Sequence, residues 1–275
     1  MDTNSNQARR VVIGITAHVD AGKTTLAEAM LYRTGRLRKL GRVDHGSAAM
    51  DSHLLERERG ITIFSSQAEL PVGELEVTLL DTPGHVDFSA EMERTLSVLD
   101  YAILVISGAD GVQAHTRTLW RLLELYRIPT FLFVTRMDFG RCGRGQMMEH
   151  LRHELGEGCV DFTPADRERR MEQLATCRED ALEAYLDGGE VPDALVRQLV
   201  GRRLVFPCWF GSGLKLEGID EFLEGLARYV EPPVTFRWVR RLPWGSWLIL
   251  NTRAEKVSGY TGGSTLSLIH ISEPT

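Results

Sequence analysis

Apolar and polar positions fall in blocks along the chain, and the period changes from block to block. Residues 11–15, Val-Val-Ile-Gly-Ile, form a short β-branched apolar run, the pattern of a buried strand. Leu26, Met30 and Leu31 give residues 24–34 helical spacing, so the segment reads strand, loop, helix. Residues 35–60 are polar with no sustained period, and loops of that length are usually functional or disordered. Strand candidates follow at 61–69 and 74–80, joined by a turn at Pro71-Val72-Gly73. Residues 88–99 have helical spacing, whereas 101–107 are almost purely apolar, as expected of a parallel strand buried on both faces. Helices are predicted at 115–126, 145–155, 167–186 and 218–229, with strands at 130–134 and 205–210. Strands alternating with helices predict an α/β fold, a doubly wound and mostly parallel sheet. Pro232-Pro233 ends the pattern, and residues 235–275 read as short strands and turns.

With 275 residues there is room for one large domain and part of a second. The hydrophobic share of 43% supplies a full core, and the formal charge of -6 makes no case for a DNA partner. Cys142, Cys159, Cys177 and Cys208 include no Cys-x-x-Cys pair, so they read as reduced thiols of a cytoplasmic protein. No stretch approaches the ~18 apolar residues of a membrane span. A monomer without membrane contact is expected.

Five short segments carry the chemistry. Ala17-His18-Val19-Asp20-Ala21-Gly22-Lys23-Thr24 lies between the first strand and the first helix. A phosphate-binding loop needs inward-turned backbone N–H groups, a lysine for the β- and γ-phosphates and a hydroxyl for Mg²⁺. Gly22, Lys23 and Thr24 fit those needs, and the helix that follows would aim its positive end at the phosphates. Ala17 stands where the strict pattern has glycine. In Asp81-Thr82-Pro83-Gly84-His85, at a strand end, Asp81 is placed to bind Mg²⁺ through water and Gly84 lets its N–H approach a γ-phosphate. In Arg59-Gly60-Ile61-Thr62-Ile63, the Thr62 hydroxyl could close on Mg²⁺ and the γ-phosphate, or the segment could simply start a strand. In Thr135-Arg136-Met137-Asp138, Asp138 can accept from N1–H and the 2-amino group of guanine together, a donor pair adenine lacks. Gly211-Ser212-Gly213-Leu214 follows the last strand and could set a backbone N–H on guanine O6.

Together these segments resemble the translational GTPases of the elongation factor G superfamily, and within it the tetracycline-resistance ribosomal protection proteins. Leu54-Leu55-Glu56-Arg57, Val86-Asp87-Phe88, Ser97-Val98-Leu99-Asp100, Asp110-Gly111-Val112-Gln113 and Gly218-Ile219-Asp220 extend the match over residues 10–230. The resemblance implies that GTP and Mg²⁺ are the ligands and the ribosome, its RNA and proteins, the partner. It implies that His85 orients the attacking water. Val19 and Ile61 would form a hydrophobic gate in front of His85, and Asp20 would help hold a monovalent cation. The nucleotide-binding set is then Asp20, Ala21, Gly22, Lys23, Thr24, Thr25, Gly84, Thr135, Arg136, Asp138, Ser212, Gly213 and Leu214, with Thr24, Thr62 and Asp81 at the metal.

Two departures from the family stand out. Its guanine-reading motif is Asn-Lys-x-Asp, and here Thr135 and Arg136 replace the first two residues. Thr lacks the paired donor and acceptor of the amide, while Arg can still lay a guanidinium over the base. Selectivity for GTP is expected to survive through Asp138, with some loss of affinity. The second departure is length. Residues 1–231 are expected to be the GTPase domain and 232–265 the start of a truncated β-barrel domain. Residues 266–275 are expected to be a non-native tail of translated adapter sequence, the other reading being a genuine strand in which Leu266 and Leu268 alternate. The competing functional reading is a truncated GTP-binding module without ribosome-dependent activity.

Overall fold

The computed structural model describes residues 9–38, 66–82, 95–139, 142–163, 167–232, 235–241, 247–253 and 267–269. The chain divides into two compact units, Met1–Glu231 and Pro232–Thr275. The first is built on a seven-stranded sheet. In chain order its elements are β1 (Arg9–Ala17), α1 (Lys23–Arg33), β2 (Ser66–Val72), β3 (Leu75–Asp81), β4 (Tyr101–Ser107), α2 (Ala114–Leu125), β5 (Thr130–Thr135), α3 (Arg144–Leu155), β6 (Cys159–Asp161), α4 (Arg167–Ala175), α5 (Glu179–Gly188), α6 (Asp193–Gly201), β7 (Phe206–Phe210) and α7 (Ile219–Tyr229). The strands lie in the order β2-β3-β1-β4-β5-β7-β6. All neighbours pair in parallel except β2, which runs antiparallel to β3 at the edge.

The central strands alternate between two cores, which is why they read as continuous apolar runs. Tyr101, Ile103 and Val105 of β4 join Phe131 and Phe133 of β5 in one core, with Leu26, Met30, Trp209 and Phe222. Ala102, Leu104 and Ile106 join Leu132 and Val134 in the other, with Leu119, Leu123 and Leu151. Fully burying one such side chain is worth about 1.5–3 kcal/mol, so a sheet covered on both faces is a rigid base for the loops at its edge. Because β1 has β3 on one side and β4 on the other, the strand order reverses there. In such sheets ligands bind at the carboxyl ends of the strands beside the reversal.

The single helix expected over 167–186 is two helices, α4 and α5. Thr176, Cys177 and Arg178 interrupt it, and Cys177 N–H closes α4 onto Leu174 O (3.1 Å). Thr and Cys rank low as helix formers. Arg178 is extended (φ -165°, ψ 152°) and its carbonyl accepts from Ala181 N–H to start α5. The turn expected at Pro71-Val72-Gly73 falls one step later, because Pro71 and Val72 still pair with Glu76 and Leu75. Proline is tolerated there because β2 is an edge strand. The short strand β6 and the helix α6 escaped the sequence pattern. Most of the helix expected at 88–99 and of the loop at 35–60 lies outside the described residues.

The second unit contains β8 (Thr235–Arg241), β9 (Trp247–Arg253) and β10 (Ser267–Ile269), an antiparallel sheet in the order β10-β9-β8. Within residues 266–275, Ser267–Ile269 pair with β9 in the register Leu268 opposite Leu250.

Candidate functional site

The loop after β1 turns sharply into α1. Asp20 (φ 61°) and Gly22 (φ 90°) both adopt left-handed backbone, which glycine reaches without strain. Gly22 precedes the first residue of α1 and gives the helix no side-chain cap. The first amides of α1 and the positive end of its dipole therefore suit an anion held in the loop. Ala17, at the position where glycine was expected, is a buried strand residue with negative φ, so its backbone does not require glycine. Val19 is half-buried and Asp20 exposed.

Lys23 and Asp81 form the electrostatic centre. Lys23 Nζ lies 2.8 Å from Asp81 Oδ1, and the two side chains are 8% and 0% exposed. Lys23 Nζ also donates to Thr82 O. Thr82 is itself fixed to β1, its N–H and Oγ1 both donating to Ile15 O at 3.1 and 2.8 Å. An ammonium and a carboxylate are thus held together at the carboxyl ends of β1 and β3, where phosphates and a metal would separate them. The Thr24 hydroxyl and the buried Asp81 carboxylate are hard oxygen donors, the chemistry that suits Mg²⁺.

The other end of the site is made by the segments after β5 and β7. Thr135 is buried, and its Oγ1 donates to Ala21 O at 2.7 Å, with Ile106 O at 3.3 Å. The hydroxyl in the asparagine position therefore faces the loop after β1. Arg136 turns the chain in left-handed backbone (φ 54°) and is exposed, as is Asp138. Ser212 and Glu217 exchange backbone hydrogen bonds of 2.9 and 3.0 Å and close a tight turn carrying Gly213, Leu214 and Lys215. Gly213 backs onto α1 so closely that a Cβ would sit 2.8 Å from Thr25 O. Lys215 Nζ donates to Asp138 Oδ2 at 2.8 Å. That bond holds the Asp138 carboxyl below its ordinary value and Lys215 above its own.

The structure therefore brings together Ala21, Gly22, Lys23, Thr25, Asp81, Thr135, Asp138 and Gly213, through contacts between elements distant in the chain. Ile61, Thr62, Gly84 and His85 lie outside the described residues. Lys215 was not expected at the site, and Thr82 was expected only as a member of its motif, without a role of its own. Neither has a local signal, since each acts on a partner 59 or more positions away.

The family model for the elongation factor Tu GTP-binding domain matches residues 8–232. The chain belongs to that family. It is 40% identical over 240 residues to the oxytetracycline resistance protein of Streptomyces rimosus, covering 78% of this chain and 36% of that protein. With the tetracycline resistance protein TetO of Campylobacter jejuni it shares 34% identity over 230 residues, again 78% and 36% of the two chains. Similar in fold is a solved protein from Thermus thermophilus, with a TM-score of 0.75 and 26% identity over 90% of this chain and 45% of that one. The chain thus spans about a third of the length of these curated relatives. The family match takes in every element of the first unit, from β1 to α7. No helix among the described residues is long and apolar enough to cross a membrane.

Proposed function

We propose that this chain is the GTP-binding and GTP-hydrolysing domain of a ribosome-associated translation factor, of the tetracycline ribosomal-protection type or elongation factor G-like. The observation that carries the reading is the buried Lys23–Asp81 pair at the start of α1, a helix with no side-chain cap. Phosphoryl transfer needs positioning and charge neutralisation more than covalent help. The amides of Ala21–Thr25 and the Lys23 ammonium cradle the β- and γ-phosphates. Thr24, Thr62 and Asp81 would hold Mg²⁺, which would supply positive charge to the phosphates. The Gly84 N–H meets the γ-phosphate and His85 orients the attacking water, behind the gate of Val19 and Ile61. Asp20 helps hold a monovalent cation. Asp138 reads guanine, Arg136 covers the base face, and the Ser212–Leu214 turn offers an N–H to O6. Residues 232–265 are read as the opening of a β-barrel domain, a reading the antiparallel sheet of the second unit supports.

The test is nucleotide binding by fluorescent GDP and GTP analogues with ATP as competitor, followed by GTP turnover with and without 70S ribosomes. GTP bound in strong preference to ATP, with turnover accelerated by ribosomes, is the expected result. Equal binding of ATP and GTP overturns the assignment of Asp138. Binding without acceleration leaves a nucleotide-binding module that does not act on the ribosome. Reading the gene beyond residue 265 decides between a native strand and an adapter-derived tail at 266–275.

A further inference from the structure

A second cavity, apart from the nucleotide site, lies in the angle between α3, β6 and α4. It has a volume of about 190 Å³ and is lined by Arg144, Arg152, Arg169 and Arg170, with Asp161 and Thr163. Among the described residues the lining holds four arginines and one carboxylate; that carboxylate is already committed, and Arg169 has a partner of its own. Asp161 Oδ2 accepts from Arg144 Nε and Nη2 at 2.6 and 2.5 Å, and Oδ1 accepts from Thr163 N–H at 2.9 Å. The Arg144 guanidinium also stacks over the Phe210 ring at 5.0 Å, so this pair acts as a fixed wall. Arg152 Nε donates to Cys159 O (3.1 Å) and Arg170 Nη1 donates to Phe162 O (3.2 Å). These bonds orient the two guanidinium groups without neutralising them, because a main-chain carbonyl carries no net charge. Arg170 is held further by the Phe162 ring at 5.5 Å. Two polar atoms of the lining, Arg170 Nε and Thr163 Oγ1, are buried with no hydrogen-bond partner among the described residues. Buried polar atoms are costly to leave unsatisfied.

We propose that this cavity binds a phosphate group. Guanidinium forks and a threonine hydroxyl suit a tetrahedral oxyanion with several acceptor oxygens, and arginine matches phosphate bidentately. Among the described residues the lining offers no aromatic face against which a nucleobase could stack. The phosphate can come from a free or terminal group carrying two charges, or from an RNA backbone carrying one per residue.

The experiment uses the full chain saturated with GDP and Mg²⁺, so that phosphate does not enter the loop after β1; binding of a fluorescent GDP analogue is measured separately and reports on the nucleotide site alone. Inorganic phosphate, and in a second arm a short single-stranded RNA without terminal phosphates, are titrated by calorimetry. The variants are Arg152→Gln with Arg170→Gln, and Arg169→Gln, whose exposed position spares the fold. We expect saturable phosphate binding that weakens at least about tenfold in the double variant and severalfold in Arg169→Gln, with GDP affinity unchanged. Saturation by the RNA alone, lost in the same variants, keeps the phosphate site and makes its source a nucleic-acid backbone. No saturable binding of either probe overturns the proposal. So does binding that the Arg169→Gln variant leaves intact together with the double variant, or alone if the double variant does not fold.

Discussion

Replacing Lys23 with methionine tests the electrostatic centre of the site in the absence of any nucleotide. The side chain keeps its length and apolar stem but loses the ammonium. Asp81 is 0% exposed, and its partner Lys23, 8% exposed, lies 2.8 Å away, so the pair belongs to the buried regime. Exposed ion pairs are worth about 0–1 kcal/mol, whereas removing one partner of a buried pair costs about 3–5 kcal/mol, because the remaining charge has no water to turn to. Thr82 O loses a donor in the same step. For a domain of this size each kcal/mol moves the melting temperature by about 2–4 °C, so the variant should melt about 6–20 °C lower. Asp81→Asn combined with Lys23→Met removes both charges and should recover a large part of the loss. The assay is thermal and urea unfolding of the nucleotide-free chain, carried through all four corners of the double-mutant cycle. A Lys23→Met variant that melts within about 2–4 °C of the parent would mean that Lys23 is solvated and Asp81 is held by something else.

Three further outcomes follow from the base end of the site. Thr135→Val removes the 2.7 Å bond to Ala21 O and leaves a buried carbonyl without its donor; unfolding should show a loss of about 1–3 kcal/mol, and GDP and GTP should weaken together with their preference over ATP intact. Gly213→Val sets a Cβ 2.8 Å from Thr25 O, so α1 must shift or the turn open; about 1–3 kcal/mol of stability and much of the nucleotide affinity should be lost, read by urea unfolding and fluorescent GDP. The pH dependence of Asp138 is set by Lys215. Its folded pKa lies below its unfolded value, so the stabilisation is present above the ordinary carboxylate range and fades as pH falls through the depressed value. Guanine selectivity should therefore be flat from about pH 5 to 8, and in Lys215→Met the Asp138 carboxyl, followed by NMR titration, should move up toward its ordinary value. An unchanged titration in that variant would show that the Lys215 bond does not form in solution.

The sheet was legible because its signal is local. Residues 101–107 are apolar at nearly every position because alternate side chains enter two different cores, and the strand found there has the bounds the run predicts. The loop after β1 was legible for a related reason: Gly22 and Lys23 serve it through backbone conformation and a charge that each residue carries by itself. The break between α4 and α5 was not legible, because a polar face hides where a helix stops when only Leu174, Ala175 and Ala181 are buried across the two. β6 spans three residues, too few to show a period. α6 follows Pro192 with Asp193 in its first turn, a start signal that was present in the sequence and not taken. The contacts that tie the site together were the least legible, since Thr135 meets Ala21 across 114 positions and Lys215 meets Asp138 across 77.

Those two contacts bear on the departure from Asn-Lys-x-Asp. With its hydroxyl turned to Ala21 O, Thr135 contacts the loop that would hold phosphates, and on the proposed reading recognition of the base would fall to Asp138. Asp138 is in turn joined by Lys215 to the turn whose Gly213 rests against Thr25 at the start of α1. A chain of contacts thus runs from the loop after β1, through the strand end of β5, to the turn after β7, and back to α1. A ligand that orders one end of this ring would lower the entropy still to be lost at the other, so on the proposed reading base and phosphates would be recognised as one unit. The exchange of asparagine for Thr135 should then weaken nucleotides through the loop, uniformly across bases, while the discrimination carried by the Asp138 carboxylate stays where it was.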